Sequence, residues 1–362
     1  MTLPKAIHEL EFGHGSCYGK EEQEEVLEVM RAGAPSCGPK VKRFEEEFAK
    51  YCGTKYGLAV TSGSTGLQLA MIAAGVGPGD EVITTPISWI STANAAAVLG
   101  AKMVFADVDA RTLNLDPASV EKKITSRTKA IIVNTPNNPT GKVFSREELE
   151  FIRDLCVRWN AFAVTDEIYE HIIYDGAKHI SMASLEGMRD RTITINGMSK
   201  TYSVTGWRVG WAIAPPDAST SIRKVHDFLT VGAAAPLQQA GAIALELPSS
   251  YYQKLAESYL EKRDRMLGIL NDAGFRCFKP AGAYYIMTDI SDFGFADDLS
   301  FSRYLVEKIG IAVVPGSSFY DDPSQGARQV RFTFCKKEST LAACAQKLAK
   351  LRTASARAPR LS

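Results

Sequence analysis

Residues 195–211 read INGMSKTYSVTGWRVGW, a short polar loop between two apolar runs. The runs TITI and VGWAIA have the length and composition of buried strands, so the loop lies at the end of a core strand. It carries Lys200, and Arg208 follows eight residues later. Burial disfavours an ammonium ion and lowers its pKa, which frees a lysine amine for imine formation. The planar guanidinium of Arg208 suits a phosphate. The segment therefore predicts a reactive lysine beside an anion site in a sheet protein.

Taken alone, these residues also fit an ordinary surface turn. A lone lysine in a loop is usually solvated, and a Ser-Lys pair next to threonine and tyrosine is common in turns. The interpretation therefore depends on what the rest of the chain provides.

The composition is that of an ordinary globular protein. The 362 residues are 45% hydrophobic and 23% charged, and 42 basic against 41 acidic residues give a net charge of +1. Without a field of one sign, a nucleic-acid or anionic-membrane partner is not favoured. We expect no signal peptide in MTLPKAIHELEF, and no apolar stretch is long enough to span a membrane. Seven scattered cysteines without a CxxC pair favour a reducing cytoplasm over a disulfide frame or a zinc site.

The pattern on both sides of the central segment alternates between helix and strand. Amphipathic helices are expected at 20–31 and 39–51. Near-continuous apolar runs follow, and they predict strands in LAVTS, EVITTP, AKMVFADVD, AIIVNT, AFAVTDEIY, TITING and WAIAP. Such runs separated by helices indicate a parallel sheet covered on both faces. In these sheets ligands bind at the carboxyl ends of the strands.

The pattern changes after Pro216. Further strands are expected in FRCFKPAGAYYIMTDI, IAVVPG and QVRFTFC. Helices are expected at about 219–247, 250–273, 299–309 and 338–351.

We therefore predict an α/β fold with two domains. A large domain with a mostly parallel sheet covers 40–248, and a smaller α/β domain covers 249–351. The N-terminal arm and first helix, 1–39, are assigned to the smaller domain. Residues 352–362 are predicted to be a disordered tail.

Three polar residues follow predicted strands of the large sheet. Asp166 ends one strand, where a buried carboxylate needs a partner such as a protonated pyridine nitrogen, unless it caps a helix. Tyr169 follows it and is otherwise a packing residue. In NTPNNPTGK, the Asn138 amide could donate to a phenolate oxygen of a bound ring, although turn chemistry alone also explains this loop.

The stretch SGSTG at 62–66 precedes a helix. Its small residues would leave the backbone N–H groups of Ser64 and Thr65 free, where the helix dipole favours a phosphate. No Lys-Ser/Thr follows in register, so this is not a Walker A loop.

Two more residues carry possible ligand contacts. Trp89 lies between a strand and a helix, where an indole could stack on a flat ring or pack in the core. Arg331 is charged within an otherwise apolar strand. It would need an anion such as a substrate carboxylate if buried, or it would face water from an edge strand.

Together these features describe one ligand with a phosphate, a flat ring, a phenolic oxygen and a pyridine nitrogen. The chain resembles the pyridoxal-phosphate-dependent aminotransferases of fold type I, class I/II (aspartate aminotransferase-like). The motifs that match, in family order over nearly the whole chain, are SGSTG, PISW, PNNPTG, VTDEIY, SKTYSVTGWRVGW, PAGAYY, VVPGSSF and VRFTF.

This resemblance implies pyridoxal 5'-phosphate as cofactor and a role for each residue. Lys200 would form the imine with the cofactor and shuttle the proton between Cα and C4′. Asp166 would pair with the pyridine nitrogen, and Arg331 would clamp the substrate α-carboxylate. The other implied cofactor ligands are Asn138 and Tyr169 at the phenolic oxygen, Trp89 on the ring, and Ser64, Thr65, Ser199 and Arg208 at the phosphate. The resemblance also implies a homodimer with active sites near the interface.

The N-terminal third departs from this pattern. Residues 36–86 look more like the DegT-type sugar aminotransferases. The tyrosine that class I members often carry shortly before Gly38 is absent, and Ala34, Pro35, Ser36 and Cys37 stand there. This mixture leaves partner-subunit contacts and substrate specificity open.

We predict an aminotransferase that moves an amino group between an L-amino acid and a 2-oxo acid by a ping-pong cycle. A pyridoxal-phosphate-dependent lyase, deaminase or oxidase would use the same residues, and a DegT-like sugar aminotransferase is a further alternative. A ligand-sensing regulator is disfavoured, since no basic helix-turn-helix segment precedes residue 15. The side-chain pocket stays open: Tyr18, Tyr284 and Phe319 could line an aromatic site or a core.

Overall fold

The structure is a computed structural model that describes residues 19–33, 38–320 and 322–355, with side chains up to Leu351. The helices are α1 Lys20–Arg31, α2 Pro39–Tyr51, α3 Gly63–Ala73, α4 Ser91–Ala97, α5 Pro117–Lys123, α6 Arg146–Trp159, α7 Met198–Thr201, α8 Pro216–Thr230, α9 Ala235–Leu245, α10 Ser249–Ala273, α11 Asp298–Tyr304 and α12 Glu338–Ser355. The strands are β1 Leu58–Val60, β2 Glu81–Thr84, β3 Lys102–Phe105, β4 Val108–Asp109, β5 Asn114–Leu115, β6 Thr128–Asn134, β7 Phe162–Asp166, β8 Thr192–Gly197, β9 Gly210–Ile213, β10 Arg276–Phe278, β11 Tyr285–Asp289, β12 Val314–Pro315 and β13 Gln329–Thr333.

A seven-stranded sheet forms the centre, in the order β1-β9-β8-β7-β6-β2-β3. The pairs from β8 to β3 are parallel, whereas β9 runs antiparallel to both of its neighbours. The prediction of a mostly parallel sheet is therefore confirmed. Because the strands run in register, Asn134 lies opposite Asp166, which lies opposite Ile195 on the other side. These strand ends share one edge of the sheet.

Both faces of this sheet are buried, as the apolar strands predict. Strand β6 shows this directly, because Ala130 and Ile132 pack into one apolar cluster while Ile131 and Val133 pack into another on the opposite face. The first cluster includes residues of α3, α4 and α8, and the second includes residues of α5 and α6. Alternation within one strand thus accounts for helices on both faces.

A second, antiparallel sheet has the order β10-β11-β13-β12. It packs against α10, α11 and α12 through an apolar cluster that contains Phe301, Phe332 and Leu348. Tyr284 belongs to this cluster and is buried there. Its side chain therefore lies in the core of the smaller unit.

The helical region predicted at 219–247 is two helices, α8 and α9. Val231 follows α8 with a positive φ of 61°, and Gly232 comes next. Pro236 occupies the first turn of α9, where proline is tolerated because no helical N–H is needed. The prediction of one continuous helix was wrong because it did not weigh these residues.

The two ends of the chain also differ from the prediction. Helix α12 extends to Ser355, so residues 352–355 are helical rather than part of a disordered tail, and residues 356–362 lie outside the described part. Helix α1 packs against α9 and joins it through Gln239 Nε2, which donates to Glu25 Oε2. Helix α1 thus contacts a helix that lies within the range predicted for the large domain. No helix in the described residues is long and apolar enough to cross a membrane.

Candidate active site

A cavity of about 250 Å³ opens at the carboxyl edge of the central sheet. Of the ten site residues predicted from the sequence, all but Thr65 and Arg331 line it. These eight are Ser64, Trp89, Asn138, Asp166, Tyr169, Ser199, Lys200 and Arg208. Residues from distant parts of the chain thus share one cavity, as the strand-end argument predicts.

Local backbone packing sets the position of Lys200. Helix α7 begins directly after β8, and Lys200 is its third residue. At the end of β8, Gly197 lies so close to β9 that a Cβ atom there would meet Gly210 Cα at 2.9 Å. A side chain at position 197 would push the strands apart and shift the turn that carries the lysine.

Asp166 is half-buried at the end of β7, where its side chain lines the cavity. Burial raises its pKa to about 6, although the backbone N–H of Ile168 and the nearby Lys200 ammonium favour the charged form. The N–H of Ile168 donates to Asp166 Oδ1 at 3.3 Å, and no salt bridge to Asp166 occurs within the described ranges. No helix begins at Asp166, so it is not an N-cap. The site therefore offers a buried anion that still needs a cation.

The pKa of Lys200 is lowered, chiefly because burial disfavours the ammonium ion, with Arg208 and Arg331 adding like-charge repulsion. Asp166 acts in the opposite direction. The Lys200 Nζ lies 5.9 Å from the centre of the Tyr284 ring. This environment increases the fraction of neutral amine, which is the nucleophilic form.

Two hydrogen bonds arrange the polar groups between the sheets. The Tyr169 hydroxyl lies 3.0 Å from the Tyr285 hydroxyl. Arg331 Nη1 donates to Asn138 Oδ1 at 2.8 Å, which leaves the Asn138 Nδ2 group as its donor. Both Tyr169 and Asn138 are buried, so their orientation is fixed by these contacts.

The other end of the cavity has hydroxyl groups and one cation. The Ser64 and Ser91 hydroxyls lie 2.9 Å apart at the starts of α3 and α4. Arg208 Nη1 donates to the Thr205 carbonyl, and the Thr205 hydroxyl donates to the Ser199 carbonyl. A helix start, hydroxyls and a guanidinium are the groups that bind a phosphate.

Thr65 does not behave as predicted. Its backbone N–H is not free, because it donates to the Ser62 hydroxyl at 3.2 Å, and Ser62 is the N-cap of α3. Its own hydroxyl bonds to Thr61 and Ser62. An N-cap serine uses this N–H itself, so Ser62 takes the donor that was predicted to be free.

Arg331 does not line this cavity but donates to Asn138, which does, whereas Trp89 lines it directly. Strand β13 runs between β11 and β12, so Arg331 is not on an edge strand facing water. Trp89 lines the cavity and is 51% exposed, which excludes core packing as its role.

Four polar lining residues were missed from the sequence: Asn134, Ser91, Thr205 and Tyr285. Asn134 Oδ1 accepts from the Asn138 N–H at 2.8 Å, and its Nδ2 donates to the Asp166 carbonyl at 3.0 Å. It therefore ties the Asn138 loop to the end of β7. Its place at the end of an apolar run was a usable signal.

Similarity to known proteins extends over most of this chain. The model of the family described as aminotransferase class I and II matches residues 20–348. The probable N-succinyldiaminopimelate aminotransferase DapC of Mycobacterium tuberculosis is 36% identical over 292 residues, which cover 78% of this chain and 74% of that protein. Human kynurenine–oxoglutarate transaminase 1 is 37% identical over 322 residues, which cover 80% of this chain and 76% of that protein.

A solved structure of an aminotransferase is also similar to this chain. YbdL from Escherichia coli, described as having a methionine aminotransferase function, superposes with a TM-score of 0.87 at 29% identity, covering 96% of this chain and 93% of that one. The chain belongs to the aminotransferase class I and II family. It is an enzyme that transfers an amino group between amino acids and keto acids.

Proposed function

We propose that the cavity binds pyridoxal 5'-phosphate and that Lys200 is the catalytic lysine. The observation that carries this proposal is the pairing of a buried, uncompensated Asp166 carboxyl with a desolvated Lys200 amine in one cavity, with Arg208 also lining it. When bound, pyridoxal phosphate supplies the electron sink for chemistry at the amino-acid Cα.

The residues at the sheet edge would orient the ring. Asp166 would hold a proton on the pyridine nitrogen, which would satisfy its own need for a cation. Tyr169 and the Asn138 Nδ2 group would donate to the phenolic oxygen. The Asn138 Oδ1 atom already accepts from Arg331, and the Tyr169 hydroxyl can accept from Tyr285 while it donates to the ring. Trp89 would stack on the ring from the exposed side.

The phosphate would lie at the start of α3. Ser64, Ser199 and Arg208 are the predicted ligands that line this end, with Ser91 and Thr205 added from the structure. Thr65 is not among the proposed phosphate ligands, since its backbone N–H already donates to the Ser62 hydroxyl.

Lys200 would bond the cofactor covalently in the resting enzyme and would be displaced by the donor amine. Its free Nζ would then move the proton from the donor Cα, a role that needs a neutral amine. Arg331 would hold the α-carboxylate of the donor. This clamp favours an α-amino acid over a nucleotide sugar. The DegT-type resemblance of residues 36–86 would then be a feature of the local sequence and would not imply a sugar substrate.

We also propose that the protein is a cytoplasmic homodimer. Each chain would divide into its large and small domains near residue 248. The support for a cytoplasmic location is that the five cysteines in the described ranges are free. The support for a dimer is the exposed apolar end of α8, where Phe228 is 88% exposed next to the exposed Leu229.

The visible spectrum of the purified protein tests the cofactor proposal. We expect an absorption band of bound pyridoxal phosphate that bleaches with an amino donor and returns with a 2-oxo acid. A band that persists while ammonia is released would instead identify a lyase or oxidase. No band after adding pyridoxal phosphate would overturn the cofactor assignment.

A further inference from the structure

The ladder between β7 and β8 fixes the two strand ends that lead into the site. It pairs Asp166 with Ile195, and the Glu167 N–H donates to the Ile195 carbonyl at 2.9 Å. Strand β7 ends at Asp166, whereas β8 continues along β9 to Gly197 and then enters α7. Lys200 therefore lies beyond the last backbone pair between the two strands. Its position relative to Asp166 depends on contacts other than this ladder.

A hydrogen bond between two side chains continues the link past the end of the ladder. Asn196 Nδ2 donates to Glu170 Oε1 at 2.7 Å. The Oδ1 atom of the same amide accepts from the Gly197 N–H at 2.7 Å, directly before α7 begins. Glu170 follows Tyr169 in the turn after β7. The bond thus joins the turn that carries Tyr169 to the start of the helix that carries Lys200.

Both groups are withdrawn from water, so neither can easily exchange its partner for solvent. Asn196 is 4% exposed, and the Glu170 side chain is 20% exposed. Burial raises the pKa of Glu170 to about 7, while His179 and the bond to Asn196 favour its charged form and Glu167 opposes it. A protonated carboxyl still accepts a hydrogen bond through its carbonyl oxygen. The link to Asn196 therefore needs an acceptor oxygen at the right reach and does not need a charge.

Helix α7 depends on such contacts for its orientation. It has four residues, Met198–Thr201, and a helix of one turn has little stability of its own. Burial lowers the pKa of Lys200, and the Asp166 carboxyl acts in the opposite direction. If the bond at Asn196 were cut, the start of α7 would relax toward solvent. The ammonium form of Lys200 would then be better hydrated, and its pKa would rise toward the ordinary value.

We propose that Glu170 is a positioning residue for the catalytic lysine and that it acts through its hydrogen bond to Asn196. The bond holds the start of α7 against the turn that follows β7, and so holds the Lys200 amine near Asp166. This inference rests on the proposed function, which gives Lys200 and Asp166 their roles toward the cofactor. A bond that only satisfied two buried polar groups would contribute to stability and leave the pKa of Lys200 unchanged.

Two substitutions separate the reach of the side chain from its charge. Glu170→Asp keeps the carboxylate but is one methylene shorter, so the 2.7 Å bond to Asn196 is lost. Glu170→Gln keeps the length and an acceptor oxygen but has no charge. In the cofactor-free proteins, the pH dependence of trinitrobenzenesulfonate modification, followed by peptide mapping, gives the pKa of Lys200. We expect Glu170→Asp to raise this pKa by at least about 0.5 and Glu170→Gln to leave it near the wild-type value.

The other end of the bond provides an independent variant. Asn196→Ala removes the donor and should also raise the pKa of Lys200. In the double variant with Glu170→Asp the two effects should not add, because both remove one bond. In the holoenzyme we expect Glu170→Asp to lower kcat at least about 10-fold through misplacement of the lysine, with little change in KM. KM should be spared because the change does not touch Arg331.

A buried glutamate at the opposite edge of the same sheet is the matched control. Glu81 begins β2, is 2% exposed and accepts from the Thr125 hydroxyl at 2.6 Å. Glu81→Asp should reduce stability without changing the pKa of Lys200. An unchanged pKa in Glu170→Asp would overturn the proposal, and so would a Glu170→Gln protein that behaves like Glu170→Asp. Absence of a cofactor band in the wild-type protein would instead refute the proposed function.

Discussion

Arg331 Nη1 donates a 2.8 Å hydrogen bond to Asn138 Oδ1, although the two residues are 193 positions apart in the chain. The bond joins β13 of the second sheet to the loop after β6 of the central sheet. In the proposed function it joins the carboxylate clamp to a ligand of the cofactor ring. In that proposal, donor binding and ring orientation would both depend on this one contact between the two sheets.

Substitution of Asn138 tests this contact. Asn138→Ala removes the acceptor, and we expect kcat/KM to fall by about 10- to 100-fold, the range for a hydrogen bond to a charged group. Asn138→Asp places a carboxylate against Arg331, which would compete with the donor carboxylate and raise KM further. Steady-state kinetics with one donor measures both effects. Asn271→Ala, at an exposed position of α10, serves as control. A KM that neither Asn138 variant changes would show that the contact has no part in donor binding.

The buried Asp166 carboxyl should destabilise the cofactor-free protein at neutral pH. Its pKa is raised to about 6 by burial, above the value near 3.9 of an unfolded aspartate. The folded state therefore binds its proton more tightly, and the contribution of this group to stability is lost as pH rises from about 4 through 6. Asp166→Asn removes the penalty. At pH 8 we expect a gain of about 3 kcal/mol in the free energy of unfolding, from a shift of about two pKa units.

Urea unfolding of the cofactor-free proteins measures this difference. Near pH 4 the variant and the wild type should be equally stable, since the carboxyl is then protonated. Asp272→Asn, at an exposed position, should change stability little at either pH. The same Asp166→Asn protein should lose most of its transaminase activity, because an amide cannot hold a pyridinium proton. A variant that is less stable at pH 8 than the wild type would contradict the burial argument.

Glu167 stabilises the turn between Asp166 and Tyr169 through buried hydrogen bonds. It is 2% exposed and accepts hydrogen bonds from the Thr165 and Ser181 hydroxyls, and His179 Nε2 lies 2.9 Å from its other oxygen. Glu167→Ala leaves these groups buried without a partner. We expect a loss of about 3 kcal/mol in unfolding free energy. We also expect weaker cofactor binding, measured by titration with pyridoxal phosphate.

The stability that the His179–Glu167 pair contributes should depend on pH. Burial opposes its positive charge, but the hydrogen bond to Glu167 and the charges of Glu167 and Glu170 together raise the pKa of His179. Its stabilisation is therefore full below the unfolded value near 6.5 and is lost as pH rises through the folded pKa. The stability difference between wild type and His179→Gln should shrink from pH 6 to pH 9. A difference that grows over this interval would contradict the raised pKa.

The dimer proposal has its own test at the end of α8. Phe228→Glu places a charge on the most exposed large apolar side chain in the described ranges. We expect light scattering to show a dimer for the wild type and a shift toward monomer for this variant. Phe151→Glu, on the surface of α6, should stay dimeric. If light scattering gives Phe228→Glu the same dimer mass as the wild type, this surface is not the interface.

Local signals in the sequence predicted most of the fold and much of the site. Asp166 and Lys200 could be found because each follows an apolar strand, and parallel strands bring such ends together. The bond between Arg331 and Asn138 could not be found, because it depends on how two sheets pack. Thr65 was misjudged because its N–H is used by Ser62 one turn earlier. The break between α8 and α9 was readable from Gly232 and Pro236, but apolar periodicity concealed it.

Chemical trapping of the cofactor on its lysine tests the central claim most directly. Borohydride reduction of the holoenzyme followed by peptide mapping should place the reduced pyridoxyl group on Lys200. Lys200→Ala should give no labelled peptide and should lose activity by on the order of 10³-fold or more. Lys142→Ala, at a largely buried lysine paired with Glu148 outside the cavity, should label like the wild type. A pyridoxyl group found on another lysine, or full activity in Lys200→Ala, would contradict the account.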